Sequence, residues 1–117
     1  MGYVIIDLEF NNMQNITKFY PNIYNEQKDL KELDSYNEII EIGAIKLNKF
    51  MQEVDEFKTY IKQSVFKVLN PKIIDITGIT EDNLKDGIKF EDAMDNLKDF
   101  IGEDDILCSW ATDDIVH

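Results

Sequence analysis

The chain has 117 residues, of which 44% are apolar and 31% are charged, and its formal net charge is −12. This length predicts one compact domain or part of one, and the apolar content argues against disorder. The lone cysteine, Cys108, excludes a disulfide framework and a multi-cysteine zinc site. All 12 basic residues are lysines, and a bound divalent cation is the obvious candidate to offset the charge repulsion of a nucleic-acid partner. The alternative is that the absence of Arg only reflects an AT-rich genome.

Membrane and secretion signals are missing from the sequence. No apolar run approaches the roughly 20 residues that a membrane span needs. The apolar residues 3–6 follow no basic stretch, unlike the core of a signal peptide. We therefore expect a cytoplasmic protein with no membrane partner.

Taken in chain order, the predicted elements begin with a strand over residues 3–6, whose continuous apolar run indicates burial on both faces. Residues 11–37 are polar and rich in Asn, and we interpret them as an inserted surface segment with a short helix over 25–33. A second strand, internal to the sheet, is predicted over 39–47. A turn joins it to a third strand over 53–61.

Helices and one more strand are predicted in the second half of the chain. Pro71 suits the first turn of a short helix that Gly78 ends. A longer helix over 90–101 carries one apolar stripe, and a fourth strand over 105–109 leads into a helix that begins at Trp110. The stripe consists of Phe90, Ala93, Met94, Leu97 and Ile101. Three antiparallel strands followed by helices and a strand predict an α/β fold with a mixed sheet.

Two acidic residues, Asp7 and Glu9, directly follow the first apolar run. Residues i and i+2 of a strand point to one face, with their Cβ atoms roughly 6 to 7 Å apart. Two carboxylates at the end of a buried strand repel each other, whereas Mg²⁺ accepts such oxygen ligands. The alternative is that both side chains are simply solvated at the strand end, and the motif alone favours neither interpretation.

A third acidic residue, Asp114, follows the fourth predicted strand. If that strand lies beside the first one, Asp114 reaches the place where Asp7 and Glu9 lie. Three carboxylates could then hold two cations about 4 Å apart. Asp113 competes for this role, and for either residue the alternative is a solvated position at a helix N-terminus.

Five segments, in order, resemble motifs of the DEDDh 3′–5′ exonucleases, a family with a ribonuclease-H-like fold. They are YVIIDLEF (3–10), EIIEIGAIK (38–46), ITGIT (76–80), FEDAM (90–94) and SWATDD (109–114), the last with Ala where the family has Gly. The resemblance covers most of the chain, is interrupted by the insertion, and is strongest to the branch that trims structured RNA ends. It implies that residues 1–117 form a single domain whose C-terminal part is missing.

The resemblance also implies roles for individual residues. It implies two Mg²⁺ or Mn²⁺ ions in the complete site and three metal ligands that also serve in catalysis, Asp7, Glu9 and Asp114. Ile79 would press against the terminal base, and the backbone around Leu8 and Phe10 would line the pocket of the terminal nucleotide. The implied activity is release of nucleoside monophosphates from the 3′ ends of single-stranded RNA or DNA.

The third motif of the family, a His followed five residues later by an Asp, is absent from residues 1–117. These residues would supply the general base and a fourth metal carboxylate, and His117 lies only three residues beyond Asp114. We therefore expect this chain to be inactive by itself. The alternative is a truncated homologue that binds nucleic acid or protein without catalysis, with a homodimer or another partner covering its exposed sheet face.

Overall fold

The structure, a computed structural model, describes residues 2–33 and 35–109. The strands are β1 (Tyr3–Asn11), β2 (Glu38–Leu47), β3 (Glu53–Tyr60) and β4 (Ile106–Ser109). The α-helices are α1 (Ile23–Glu26), α2 (Pro71–Thr77), α3 (Glu81–Lys85) and α4 (Phe90–Phe100), and 3-10 turns cover Ile16–Lys18 and Lys28–Leu33. None of the helices in these ranges has the length and apolar character of a membrane span.

The strands form one sheet in the order β3-β2-β1-β4. β1 pairs antiparallel with β2, β2 pairs antiparallel with β3, and β4 runs parallel to β1. The predicted α/β fold with a mixed sheet is thus confirmed. β1 and β2 have neighbours on both sides, as their continuous apolar runs predicted.

β1 is longer than the strand predicted from its apolar run. It continues to Asn11 because its second half keeps pairing with β2, with Asp7 opposite Gly43 and Glu9 opposite Glu41. The register then shifts at a bulge between Glu9 and Phe10. Both carboxylates therefore lie within a paired strand, where backbone hydrogen bonds fix their direction, and not in a loop after it.

The helix α4 packs on one face of the sheet. Its buried residues Ala93 and Leu97 join a core cluster that contains Val4 of β1 together with Ile42 and Ala44 of β2. This confirms the central part of the predicted apolar stripe. Phe90 departs from the prediction, since it is 42% exposed at the first position of α4, outside the buried turns.

The opposite face of the sheet is partly exposed, as the alternative of a truncated homologue expected, whereas the apolar run over residues 3–6 predicted burial on both faces. Ile45 of β2 is 38% exposed and Ile106 of β4 is 42% exposed. Ile5 of β1 pairs with Ile45, so these residues share a face with the acidic pair. An apolar run indicates that a strand is internal to the sheet, but it does not tell whether both faces are covered.

The segment over residues 11–37 packs around a small cluster of its own. Met13, Ile16, Ile23 and Leu30 are buried there against Phe66, which comes from the loop after β3. The predicted helix over 25–33 is replaced by α1 and a separate 3-10 turn. The break falls at Gln27, whose backbone (φ −131°, ψ 81°) is not helical.

Candidate functional site

The acidic pair of β1 lies on the more exposed face of the sheet. Asp7 is exposed and Glu9 is partly buried, and their spacing along the strand directs both side chains to this face. Asp7 lines a groove of about 320 Å³ together with Ile5, Gly43 and Lys58. The groove stays open beside the carboxylate because Gly43, directly opposite Asp7, has no side chain.

Steric necessity does not explain the glycine opposite Asp7. A Cβ atom built on Gly43 would lie 3.7 Å from the backbone oxygen of Asp7, which is ordinary van der Waals contact. A side chain at this position would therefore fit, but it would project into the groove between Asp7 and Lys58. The absence of a side chain at Gly43 therefore leaves the space beside the Asp7 carboxylate open.

A further carboxylate, which the sequence did not reveal, lies opposite Glu9 on the neighbouring strand β2. Glu41 is its register partner, and its side chain is only 17% exposed. The Lys58 Nζ atom lies 3.8 Å from Glu41 Oε2 and 5.6 Å from the centre of the Tyr60 ring. The site thus contains acidic side chains from two strands and one ammonium group. Strand register alone brings Glu41 to this site, and register is not visible in the order of residues.

The described residues supply two of the predicted metal ligands, Asp7 and Glu9. Across residues 2–33 and 35–109, no group of three or more His, Cys, Asp or Glu side chains is placed to hold a metal ion. Asp114, with its competitor Asp113 and the residue His117, lies outside the described residues, so the convergence of three carboxylates stays a prediction. Carboxylate oxygens on one strand face are nevertheless the donors that Mg²⁺ and Mn²⁺ prefer.

One condition for that convergence is met by the described chain. The sequence argument required the fourth strand to lie beside the first, and β4 does pair with β1. Their parallel register sets Ser109 opposite Ile6, one residue before Asp7. The chain therefore leaves β4 at the end of the sheet where the acidic pair lies.

Leu8 and Phe10 line a second groove, with Ile39 and Phe90 among its other walls. Leu8 packs against the core cluster below α4, on the face opposite to Asp7. The side chains of Leu8 and Phe10 therefore do not share the groove that Asp7 lines. The predicted role of the backbone around them in a nucleotide pocket stays a prediction.

The segment 76–80 places its two isoleucines in different environments. Ile79 is 3% exposed and packs in a cluster with Ile40, Leu69 and Leu84. Ile76 is 69% exposed near the end of α2. The contact of Ile79 with a terminal base stays a prediction, and Ile76 is the apolar side chain that this segment exposes to solvent. The sequence did not single out Ile76.

Comparisons with known proteins bear on the family of the chain. The exonuclease family RNase_T matches residues 4–112. The DNA polymerase III PolC-type of Bacillus subtilis (strain 168) is 31% identical over 80 residues, which are 68% of this chain and 5% of that polymerase.

Several solved nuclease structures share this fold. A full-length 3′-exonuclease has a TM-score of 0.73 at 22% identity, over 97% of this chain and 35% of its own. The nuclease domain of 3′hExo, a DEDDh family member bound to rAMP, has the same TM-score and identity, with 54% of its own chain covered. The cell-death related nuclease 4 (CRN-4) has a TM-score of 0.65 at 15% identity, over 92% of this chain and 34% of its own. This likeness confirms the predicted ribonuclease-H-like exonuclease fold, and the chain spans only part of each relative.

Proposed function

This chain belongs to the exonuclease family RNase_T, and we propose that it is part of a metal-dependent 3′–5′ exonuclease of the DEDDh type. The enzyme would release nucleoside monophosphates from the ends of single-stranded RNA or DNA. The observation that carries the proposal is the acidic pair on one face of β1, beside an open groove and within the region that matches the family.

Asp7 and Glu9 would hold the divalent cations, Mg²⁺ or Mn²⁺, together with Asp114. Such cations, when bound, lower the pKa of a coordinated water and stabilise the charge that develops on the phosphate. The fit rests on the donor set, because both side chains offer carboxylate oxygens from neighbouring positions of one rigid strand.

The surrounding residues would bind and orient the nucleic acid. Lys58 supplies a positive charge at the edge of the groove that Asp7 lines, where a phosphate would approach. Gly43 leaves the space for it, and Ile76 offers an apolar surface of the kind on which a base packs. Because the chain has a net charge of −12 and no Arg, its side chains repel the phosphates of a nucleic acid. Bound cations, more than side chains, would offset this repulsion.

A second candidate function is a non-catalytic module that binds nucleic acid or protein. The exposure of Ile45 and Ile106 on the sheet favours a covering partner, which could be a second copy of the chain. The mass of the protein in solution separates the candidates. A monomer without nuclease activity and without nucleic-acid binding would contradict both.

The test of the exonuclease uses the full-length protein that contains this chain. Single-stranded RNA and DNA oligonucleotides with a 5′ label are incubated with Mn²⁺ or Mg²⁺, and we expect stepwise shortening from the 3′ end with release of 5′-mononucleotides. Asp7→Asn should lower kcat by about a hundredfold or more, since a lost cation ligand removes transition-state stabilisation. The matched control is Asp95→Asn, an exposed carboxylate of α4, which should leave kcat unchanged. Full activity of Asp7→Asn would show that the role of Asp7 is wrong.

A further inference from the structure

Two asparagines, Asn11 and Asn70, have fully buried side chains at 0% exposure. Asn11 is the last residue of β1, and Asn70 is the residue directly before α2. Asparagine is seldom fully buried, because its amide loses water on both its donor and its acceptor side. Such burial is stable only when the amide atoms find hydrogen-bond partners inside the protein.

The two residues bond to each other and to the chain segments around them. Asn11 Oδ1 accepts a hydrogen bond from the backbone N–H of Asn70 at 3.0 Å, and Asn11 Nδ2 donates to the Val68 carbonyl at 3.0 Å. Asn70 Nδ2 donates to the carbonyls of Asn12 at 3.1 Å and Gln14 at 2.9 Å. We call Asn11, Asn70 and these hydrogen bonds the amide clamp.

The remaining polar atom of the Asn70 side chain, Oδ1, caps the first turn of α2. Asn70 Oδ1 accepts from the backbone N–H of Lys72 at 3.1 Å, which makes Asn70 the N-cap of this helix. Pro71 follows at the first helical position, where its missing N–H costs nothing. The same side chain therefore starts α2 and ties its start to the end of β1.

The position of α2 depends on these hydrogen bonds more than the position of a buried helix would. Within the described chain, none of the residues of α2 is fully buried. Ile73 and Ile74 are only partly buried, packed against the cluster around Ile79. Because packing holds α2 on one side only, the hydrogen bonds at its first turn contribute much of its placement.

The amide clamp joins the strand that carries Asp7 and Glu9 to the helix that carries the exposed Ile76. Glu9 precedes Asn11 by two residues, across the bulge at which the pairing of β1 with β2 shifts register. Ile76 lies in the last turn of α2, before Gly78 ends the helix in the left-handed conformation (φ 76°). A shift of α2 relative to β1 would therefore change the distance between the carboxylates and the exposed apolar side chain.

We propose that Asn11 and Asn70 are positioning residues that fix α2 relative to the acidic pair, so that one terminal nucleotide can contact Ile76 and the cations at once. The inference rests on the proposed exonuclease function. It assigns no chemistry to either amide, because both are buried and act through α2 and β1. Loss of the amide clamp should therefore weaken the grip on an oligonucleotide while the cation site stays intact.

The test variant is Asn70→Asp, in the full-length protein that contains this chain. The substitution keeps the shape and the capping oxygen, but it turns an oxygen instead of an N–H group towards the carbonyls of Asn12 and Gln14. We expect KM for a single-stranded oligonucleotide to rise about tenfold and kcat to change less than about threefold. A misplaced α2 would weaken binding of the substrate and of the transition state equally. Hydrolysis of bis(p-nitrophenyl) phosphate, which has no base for α2 to contact, should stay within about twofold of the wild type.

The matched control is Leu30→Ala, which removes a buried side chain from the cluster over residues 11–37 and touches neither asparagine. It should lower the melting temperature without raising KM. If Asn70→Asp does not fold, Asn70→Ser takes its place, because a hydroxyl keeps the cap and removes both donors.

The outcomes separate the inference from the proposed function. If the wild type releases no mononucleotides, the proposed function is overturned and this inference with it. If the wild type is active but KM in the Asn70 variant equals that of Leu30→Ala, the inference alone is overturned. A parallel loss of activity on the oligonucleotide and on the small diester would also overturn it, since that result indicates general damage to the site.

Discussion

Two isoleucines three positions apart, Ile76 and Ile79, have opposite environments in this structure. Gly78 lies between them with a left-handed backbone (φ 76°), so the chain changes direction and one side chain enters the core while the other stays in solvent. The sequence could predict the helix end from Gly78. It could not assign the two isoleucines, because identical side chains carry no information about which one the fold buries.

The two positions should respond differently to truncation. Ile79→Ala removes a buried side chain and should lower the free energy of unfolding by about 2 to 4 kcal/mol. Ile76→Ala should change it by less than about 0.5 kcal/mol, since an exposed side chain loses little packing, and should raise KM for oligonucleotides. Urea unfolding and steady-state kinetics of both variants measure these effects. A raised KM in Ile79→Ala alone would support the predicted base contact of Ile79 and contradict a contact with Ile76.

The acidic residues show which parts of the site the sequence could predict. Alternation along a strand was enough to place Asp7 and Glu9 on one face, because this rule needs only neighbouring residues. Glu41 enters the site through pairing with β2, and Asn11 contacts Asn70 across 59 positions of sequence. Contacts of that kind depend on the folded arrangement of the chain, so no local pattern predicts them.

Among the elements, the loop after β3 is held by one carboxylate at the start of β2. Glu38 is 6% exposed, and its oxygens accept the backbone N–H groups of Ser64, Val65 and Phe66 at 2.8 to 3.1 Å. The Ser64 hydroxyl donates to the same carboxylate at 3.2 Å. This loop carries Phe66 into the cluster over residues 11–37, so Glu38 supports two parts of the molecule together.

Glu38→Gln replaces only one oxygen by an NH₂ group, but it should destabilise the protein strongly. The amide keeps one oxygen and brings an N–H₂ group towards backbone donors, which leaves buried N–H groups without an acceptor. We expect the free energy of unfolding to fall by about 2 to 3 kcal/mol in urea. Glu53→Gln, on an exposed position of β3, is the control and should change it by less than about 0.5 kcal/mol. Equal stability of the two variants would contradict the anchoring role.

The turn into β4 is stabilised by a second carboxylate. Asp105 accepts a hydrogen bond from the backbone N–H of Gly102 at 2.8 Å and pairs with Lys46 Nζ at 3.5 Å. The Gly102 hydrogen bond, aided by the Lys46 ammonium, holds the pKa of Asp105 below its ordinary value, although partial burial acts in the other direction. β4 thereby gains a fixed starting point beside β1.

The pH dependence of stability should report this carboxylate. A pKa lower in the folded than in the unfolded state means that the stabilisation is complete above the unfolded pKa, near about 4, and disappears as the pH falls through the folded pKa. The difference in melting temperature between the wild type and Asp105→Asn should be constant near neutral pH and shrink below about pH 4. Circular dichroism melts from neutral pH to about pH 2.5 measure it. A difference that is independent of pH would show that the lost hydrogen bond with Gly102 does not depend on charge.

At the level of the whole molecule, hydrophobic patterning predicted the fold class because each β-strand and each longer helix carries a strong local signal. The confirmed sheet has its apolar runs inside and the amphipathic helix α4 on one face. The segment over residues 11–37 was predicted less well. Its short 3-10 turns are stabilised by contacts with Phe66, far along the chain, more than by helix propensity.

The charge of the whole molecule leads to a prediction about nucleic-acid binding. With 24 acidic and 12 basic residues, few counterions are released by lysines, so binding should depend on added divalent cations more than on monovalent salt. We expect the affinity of the wild type for a fluorescent oligonucleotide with a non-hydrolysable 3′ end, measured in Mg²⁺, to fall less than about tenfold between 50 and 200 mM KCl. EDTA should abolish binding to the wild type, and Mg²⁺ should restore it. A steep salt dependence that persists in EDTA would indicate a basic surface instead.

Asn11 pairs with Glu38, so the long connection between β1 and β2 leaves and re-enters the sheet at directly paired positions. Homologous proteins can therefore differ in the length of this connection without disturbing the strand positions of Asp7 and Glu9. Its loss would, however, uncover Phe66, which it buries to 1% exposure. Evolution should accordingly couple the two regions, so that homologues with a short hairpin here carry a small or polar residue in place of Phe66.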